Sequence, residues 1–554
     1  MGGDPFSRKT INFFDPLIPF AIFRKIMYHT SIIREEIAKE DDLMTDYKER
    51  FAGDSEQFEQ AAKAFFGGEM SKQDYKGISG GFGSYAEKGG ASGMLRLRMT
   101  AGRVSKQRLA FLVNTMEKYQ VPFAKLTTCE TIQLHRLKGE LIPQIYEEAL
   151  EAGIFCRGGG GDFPRNVMAS PLSGVQAGEA FDIMPYAQAA GDYLLGLIGQ
   201  VKLPRKLKVA FSNGVGNETH ATFRDLGFIA GADGTFTVYS AGGLGSNPKM
   251  GLKVAEGVEP HQILYYIKAM VDTFVAHGNY TVRSKARTRY MQDTLGKEGY
   301  VKAYQQNAKA ALAAGGLDIE PKTVPVTKQG KGELKETRVV AQKQPGLFSV
   351  WYHPLGGKLE VKSLRILADA IQDMEDVELR IAPDETLYII NCTADEARKV
   401  LEATADGAKN RFECSVACIG GTVCQQGIGD SQALYAACVE AVRQAGIADG
   451  ALPQVHISGC PSSCGTHQIG AIGFRGGMKP VDGVAKPIFT LHVGGSDAMG
   501  NEVFGEDWGA ILAQDIPAFL VQLGKMVQET GEGYDAWQSN HIQEMRDLAQ
   551  EYLL

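Results

Sequence analysis

A strand-helix-strand-helix series early in the chain is followed about 250 residues later by a second in the same order, and this recurrence constrains the fold more than any single motif. In the first series GMLRLRM alternates like a strand, SKQRLAFLVNTMEKY has helical spacing, KLTTCETIQLHRL reads as another strand and LIPQIYEEALEAG as another helix. In the second, the same roles fall to GLFSVWYHP, KSLRILADAIQDM, ETLYIINC and TADEARKVLEAT. LGFIAGADGTFTVYSAGGLG and IGFRGGMKPVDGVAKPIFTLHVGG extend the correspondence, each placing an apolar pair before glycines and ending a later strand in GG. The chain therefore reads as duplicated, each half a small sheet packed on helices followed by a larger α/β module with glycine turns. Recurrent α+β grammar without duplication is the alternative.

With 554 residues, 44% of them hydrophobic, the chain has material for several cores, and a small disulfide-stapled scaffold is excluded. Its nine cysteines, an odd number, argue against a complete disulfide framework. Lys and Arg number 58 against 65 Asp and Glu, and a formal charge of -7 gives no reason to expect nucleic-acid binding. No run of about 18 apolar residues occurs, so no integral membrane segment is expected. The opening MGGDPFSRKTINFFDPLIPFAIF is broken by Asp and Pro and followed by no small-residue cleavage pattern. A cytoplasmic protein is expected, with peripheral membrane contact by that segment as an alternative.

The expected divisions are a helical or extended preamble over 1–85, a first small unit over 86–155, a first larger module over 156–315, a linker over 316–342, a second small unit over 343–410 and a second larger module over 411–554 ending in helices. The linker is rich in Lys, Pro, Thr and Gly and lacks apolar periodicity.

Cys418 and Cys424 form a C-x5-C pair, and Cys460 and Cys464 a C-x3-C pair. Four thiolates in Gly- and Pro-rich turns suit a [4Fe-4S] cluster, whose negative charge backbone amides can stabilise. Structural zinc is the inorganic rival, although its pairs are usually spaced C-x2-4-C, and unliganded cysteines are a third reading. Cys414 and Cys438 lie outside the paired turns, Cys438 in an Ala-rich helical segment where it reads as a buried small hydrophobe.

CIGGTVC and GCPSSCG, with MLRLRM, PRN, LPRKLK and the late GG turn in the same order, resemble the siroheme- and [4Fe-4S]-dependent nitrite/sulfite reductase family over roughly residues 80–500. The resemblance implies an α+β (α/β), internally duplicated fold of two ferredoxin-like half-domains and two siroheme-binding α/β modules. It implies that Cys418, Cys424, Cys460 and Cys464 ligate the cluster and that Cys464 also bridges to the siroheme iron. Reducing an oxyanion there needs cations over the macrocycle. Arg96, Arg165, Lys206 and Lys208 match the family's substrate-binding cations, Arg96 and Arg98 falling on one face around Leu97, and Lys206 and Lys208 on one face around Leu207.

The same resemblance sets Arg98 beside a siroheme carboxylate, and Gln133 and Asn166 near the macrocycle. Arg283, Lys285 and Arg287 of the basic run RSKARTRY, which also holds Arg289, would neutralise further carboxylates. Solvent-facing cations, a polar strand face at Gln133 and a solvated basic helix face are the bland alternatives. One position departs from the pattern: the family's TTR or TNR turn is Thr127-Thr128-Cys129 here, removing an arginine. His220 and His467 look like exposed turn histidines without ligand spacing. SNGVGNETH and AGGLGSNPKMG could offer backbone amides to a large anionic cofactor, but neither is a nicotinamide fingerprint. No flavin segment is evident, so a carrier such as ferredoxin is the expected electron donor.

The expected reaction is six-electron reduction of sulfite to sulfide, with nitrite to ammonia as the alternative. Lys206-Leu207-Lys208 resembles the sulfite branch, whereas GCPSSCG followed by IGF looks more like the nitrite branch. A non-catalytic iron-sulfur electron-transfer or regulatory protein is a further alternative, motivated by Cys129.

Overall fold

The structure, a computed structural model, describes residues 31–554 except 322 and 324, and omits the side chains of 31–45, 48 and 52. The opening apolar segment, and with it the alternative of a peripheral membrane contact, lies outside the described residues. Within them, no helix is long and apolar enough to cross a membrane.

The first half supplies β1 (Ser84–Ala86), β2 (Gly93–Arg98), β3 (Arg103–Val104), β4 (Ala124–Leu126) and β5 (Thr131–Leu137), then β6 (Pro164–Ala169), β7 (Leu207–Ser212), β8 (Leu226–Ala230), β9 (Phe236–Ser240) and β10 (Leu252–Val258). The second supplies β11 (Val339–Ala341), β12 (Phe348–Tyr352), β13 (Lys358–Leu359), β14 (Glu378–Ile381) and β15 (Leu387–Cys392), then β16 (Val416–Ala417), β17 (Val455–Ser458), β18 (Ile472–Val481), β19 (Val484–Val493) and β20 (Glu506–Leu512).

The two small sheets run β1-β2-β5-β4-β13 and β11-β12-β15-β14-β3. Each is completed by an edge strand from the other half: β13 pairs antiparallel with β4, and β3 with β14. The exchange covers two edges that would otherwise be exposed. One continuous core spans both sheets, from Leu95, Leu97 and Ile132 to Val350, Ile381 and Ile389. Helices Lys106–Lys118 and Val361–Ile371 seal it, burying Leu109, Leu112 and Met116 on one side and Leu364, Leu367 and Ile371 on the other, as their i, i+3/i+4 spacing demands.

The larger sheets run β10-β9-β8-β7-β6 and β16-β17-β18-β19-β20. In each, the three strands at one side are parallel and the other two antiparallel. The loops leaving β6, β7, β16 and β17 thus emerge beyond the carboxyl ends of parallel strands, where α/β sheets present ligand sites.

Three local expectations change. KLTTCETIQLHRL is two strands, β4 and β5, because Thr127 Oγ1 accepts the N–H groups of Cys129 (3.4 Å) and Thr131 (3.2 Å) and Glu130 takes φ 53°, closing a turn. The end of the linker forms β11, which pairs with β12. The RSKARTRY run is two single-turn 3-10 segments, Arg283–Lys285 and Thr288–Tyr290, rather than a helix face.

Candidate redox and anion site

Cys418 follows β16 directly, and Cys460 and Cys464 lie on the loop after β17. Glycines allow these loops to nest: a Cβ on Gly459 would stand 2.6 Å from the Gly429 carbonyl, and Gly429 and Ile428 both donate to the Gly459 carbonyl at 2.8 and 2.9 Å. The Gly459 N–H donates to Cys418 Sγ at 3.1 Å, and Ser431 Oγ lies 3.2 Å from the same sulfur. Burial and Cys464 push the Cys418 thiol up to about 12. Cys464 is raised too, by burial first and then by Cys424 and Cys460, while Lys206 and Lys208 oppose the shift. All four sulfurs are therefore electrostatic neighbours. Among the described residues, no three His, Cys, Asp or Glu side chains converge on a single ion position, whereas cluster thiolates each take a separate iron and need not converge.

Cys464 is exposed at the tip of its loop, yet the mass of protein around it is enough to raise its thiol. The cations facing it share this character. Burial lowers Lys206 well below the ordinary lysine range, helped by Arg287, Lys208 and Arg165, with Cys464 opposing. Lys208 is lowered by burial and by Arg224 and Arg287, against Cys129. Arg165 falls to about 10, mainly through burial, although its Nη1 and Nη2 donate to the carbonyls of Gly159 (3.0 Å) and Gly161 (2.8 Å). Arg96, on β2 opposite Gln133, has a buried Nε without a partner, as does Arg165. Thr128 Oγ1 donates to the Cys464 carbonyl at 3.0 Å, tying the β4–β5 turn to the cysteine loop. A desolvated nest of cations beside four thiols can hold an anion next to a redox centre.

A family profile described as the Nitrite and sulphite reductase 4Fe-4S domain matches residues 160–312, and one described as the Nitrite/Sulfite reductase ferredoxin-like half domain matches residues 85–152. The chain belongs to the nitrite/sulfite reductase family. It is 27% identical over 456 residues to the ferredoxin–nitrite reductase of Synechococcus elongatus, covering 78% of this chain and 85% of that one. It is 25% identical over 422 residues to sulfite reductase [ferredoxin] 1 of Mycolicibacterium paratuberculosis, covering 73% of each, and 25% identical over 472 residues to a chloroplastic ferredoxin–nitrite reductase of Arabidopsis thaliana, covering 80% and 78%. The solved structure of Mycobacterium tuberculosis NirA protein superposes with a TM-score of 0.74 over 89% of this chain and 94% of that one, at 22% identity. The fold is the duplicated α+β arrangement of this family, with ferredoxin-like half-domains, and the protein is an oxidoreductase of the nitrite/sulfite reductase type.

Nitrite/sulfite reductases carry siroheme and a [4Fe-4S] cluster, and the residues present fit both. The glycine nest and the amide donor on Cys418 suit a charged cluster. Arg289, buried with Nε and Nη1 unpartnered, lies along the glycine turn: a Cβ on Gly243 or Gly245 would come within 3.3 or 3.1 Å of its guanidinium. Such unsatisfied donors suit a polycarboxylate. The profile matches include every first-half cation named above, while the four cysteines lie beyond them in the second half.

Several expected cofactor contacts have other partners. Arg98 is buried, donating from Nη1 to the carbonyls of Arg157 (3.1 Å) and Pro164 (3.2 Å) and from Nη2 to that of Arg165 (3.0 Å); it braces the start of β6 under Arg165. Asn166 Nδ2 reaches the carbonyls of Met99 (2.8 Å), Cys129 (3.1 Å) and Glu130 (3.1 Å), clamping the β4–β5 turn, while its buried Oδ1 is unpartnered. Gln133 is buried, with Nε2 3.6 Å from Met94 Sδ. Arg283 and Lys285 are exposed, Arg283 paired with Asp162 at 2.7 Å. Arg287 donates at 3.0 Å to both oxygens of buried Asp225.

His220 and His467 are buried, not exposed. His220 Nδ1 takes a hydrogen bond from Arg224 Nη2 (3.0 Å), so its Nε2–H donates to Asp497 (3.2 Å), and burial pushes its pKa down to about 4. Cys438 is a buried member of helix Ser431–Gln444, as its Ala-rich context suggests.

Sequence reasoning named Arg289 only as a member of the basic run and missed Arg224, whose one faint signal is an arginine beside Phe223 just ahead of β8.

Proposed function

We propose that the protein reduces sulfite to sulfide by six electrons, using Arg96, Arg165, Lys206 and Lys208 to bind the anion. The observation that supports this most directly is the mutual electrostatic influence of Cys464 with Lys206 and Lys208. Siroheme and cluster together supply, when bound, one-electron redox steps at an iron that takes anionic ligands. Cys418, Cys424, Cys460 and Cys464 would hold the cluster, with Cys464 shared between it and the siroheme. Arg289 would meet the macrocycle's carboxylates.

The chain's own contribution is charge and protons. Arg165, pinned by two carbonyls, holds an oxygen in a fixed place. Lys206, made more acidic by burial and by Arg287, Lys208 and Arg165, can donate a proton, as departure of each oxygen as water requires. Desolvation strengthens both effects.

Reduction of nitrite to ammonia is the second reading, favoured by one observation: Cys129 is a neighbour of Lys208 and opposes the shift imposed on it by burial and by Arg224 and Arg287, offsetting the second lysine's charge. Ferredoxin as donor and a cytoplasmic location belong to this proposal, the first supported by the ferredoxin-dependent names of the relatives. The test is anaerobic turnover of each anion by the siroheme-loaded protein with reduced methyl viologen, counting electrons and identifying product. Six equivalents per anion and stoichiometric sulfide are expected. Failure to reduce either anion, or a two-electron product, overturns the proposal.

A further inference from the structure

The turn at 127–130 is fixed from every side. Asn166 holds the carbonyls of Cys129 and Glu130, Arg224 Nη2 donates to the Thr128 carbonyl at 3.3 Å, and Thr128 itself grips Cys464. The Cys129 side chain consequently has one environment. Part of it packs on Met168, Ala210 and Ala221. Ala210 stands two residues along β7 from Lys208 and so on the same face, and the cations around the sulfur are Lys208, Arg224 and Arg96. Glu130 is the acidic neighbour; burial raises its carboxyl well above the usual range, toward the neutral form, and its Oε2 accepts the Ala169 N–H at 3.0 Å. No carboxylate hydrogen-bonds the Lys208 ammonium among the described residues, since Asp225 accepts that residue's backbone N–H (2.9 Å) and is otherwise held by Arg287 and Thr288.

We propose that Cys129 is a specificity-determining residue: its sulfur is the counter-charge of Lys208, lowers the positive charge presented to a bound oxyanion, and so disfavours a dianion relative to a monoanion. This rests on the reading of the cation nest as the anion site. The charge state follows from the surroundings. Burial raises the thiol, but Lys208, Arg224 and Arg96 outweigh it and bring Cys129 down to about 6. A thiolate at this place repels a dianion twice as strongly as a monoanion at the same distance. An arginine in the same turn would have the opposite sign.

The test uses holoenzymes of wild type, Cys129→Ser, Cys129→Ala and Cys129→Asp, matched for siroheme and iron content. Neutral Ser and Ala should raise the sulfite-to-nitrite ratio of kcat/KM by about tenfold, the size expected for one partly screened charge at close range. Asp, which keeps the charge, should hold the wild-type ratio. Independently of turnover, iodoacetamide labelling of Cys129, followed by peptide mass spectrometry, should reach half its maximal rate near pH 6 in wild type and at a higher pH in Lys208→Met. If neither anion is reduced by wild type, the site reading fails. If both are reduced, but the ratio is unmoved in Ser and Ala or the labelling midpoint lies in the ordinary thiol range, the site stands and the role of Cys129 is overturned.

Discussion

In the first small sheet Arg96 stands opposite Gln133 and Arg98 opposite Thr131, one residue on from the Leu97–Ile132 pair; in the second, Trp351 stands opposite Tyr388, one residue before the Tyr352–Leu387 pair. Register therefore equates Arg96 with Trp351, Gln133 with Tyr388 and Arg98 with His353. The larger modules match as closely. A Cβ on Gly227 would strike the Ala221 carbonyl at 1.9 Å, and one on Gly473 the His467 carbonyl at 1.9 Å, while the preceding residues, His220 and Thr466, both take positive φ (59° and 54°). Counting back from those turns places Glu218 where the second module has Cys464. Near it Ser170, following β6 as Cys418 follows β16, approaches Glu218 Oε2 at 3.5 Å. The same backbone thus carries cations and an acid in one half and aromatics and thiols in the other. Duplication supplies the geometry twice, and side-chain divergence makes one composite site from the two halves.

The largest effect should separate Cys464 from Glu218. Cys464→Ser removes a sulfur next to Lys206 and Lys208 and should abolish normal six-electron turnover and alter the visible spectrum that reports cluster–siroheme coupling. Glu218→Gln should leave spectrum and turnover within about twofold of wild type, because burial already raises this carboxyl toward its neutral form. Equal spectral damage from both would mean that the two modules are not chemically divided in this way.

How much of this division could be read from sequence depends on the length of the signal. The paired cysteines, the Arg96 strand and the Lys206-Leu207-Lys208 segment are visible because alternation and spacing are local. Strand exchange is invisible, since β3 and β13 are two residues each and too short to show a period. The basic run is legible as charge but not as direction: Arg283 and Lys285 face water, while Arg289 turns inward along the glycine turn of the same module. Arg98 and Arg96 look alike on β2, and only the carbonyls of Arg157, Pro164 and Arg165, which capture Arg98, separate a brace from a guanidinium with an unpartnered Nε. Cys129 is conspicuous in sequence, but its pairing with Lys208 arises between β4–β5 and β7, elements of different sheets.

A second contrast lies in two glutamates at matching places, Glu130 and Glu385, each followed by a Thr at or just before the start of the next strand and each at positive φ (53° and 72°). Glu385 is paired with Lys125, both almost fully buried, and burial still raises its pKa to about 7 against that attraction. Glu130 has no such lysine, because Arg380, the counterpart of Lys125, bonds to Glu378 instead. Lys125→Met should therefore cost about 3 kcal/mol by stranding a buried carboxylate, whereas Glu130→Gln should cost less than about 1 kcal/mol, the neutral acid being replaced by a neutral isostere that keeps the Ala169 N–H bond. Urea unfolding at neutral pH measures both; comparable costs would show that Glu130 is ionised.

The smallest effect, and one that depends on pH, concerns His353, the register counterpart of Arg98. Arg98, which donates to three carbonyls, is lowered by burial only to about 10 and so stays protonated, but His353 has only Thr386 Oγ1 at 3.0 Å and burial pushes it down to about 4. A histidine depressed in the folded state contributes stability that is present above its unfolded pKa of about 6.5 and lost as pH falls toward 4. The full contribution is about 3 kcal/mol, of which about 2 kcal/mol should be gone by about pH 5. His353→Gln removes the titration, so the difference in urea midpoint between wild type and variant should narrow on moving from about pH 7.5 to about pH 5. A wild type that loses no more stability than the variant over that range would place a charged imidazole in the position that Arg98 occupies in the other half, and the two small sheets would then share a buried cation rather than differ by one.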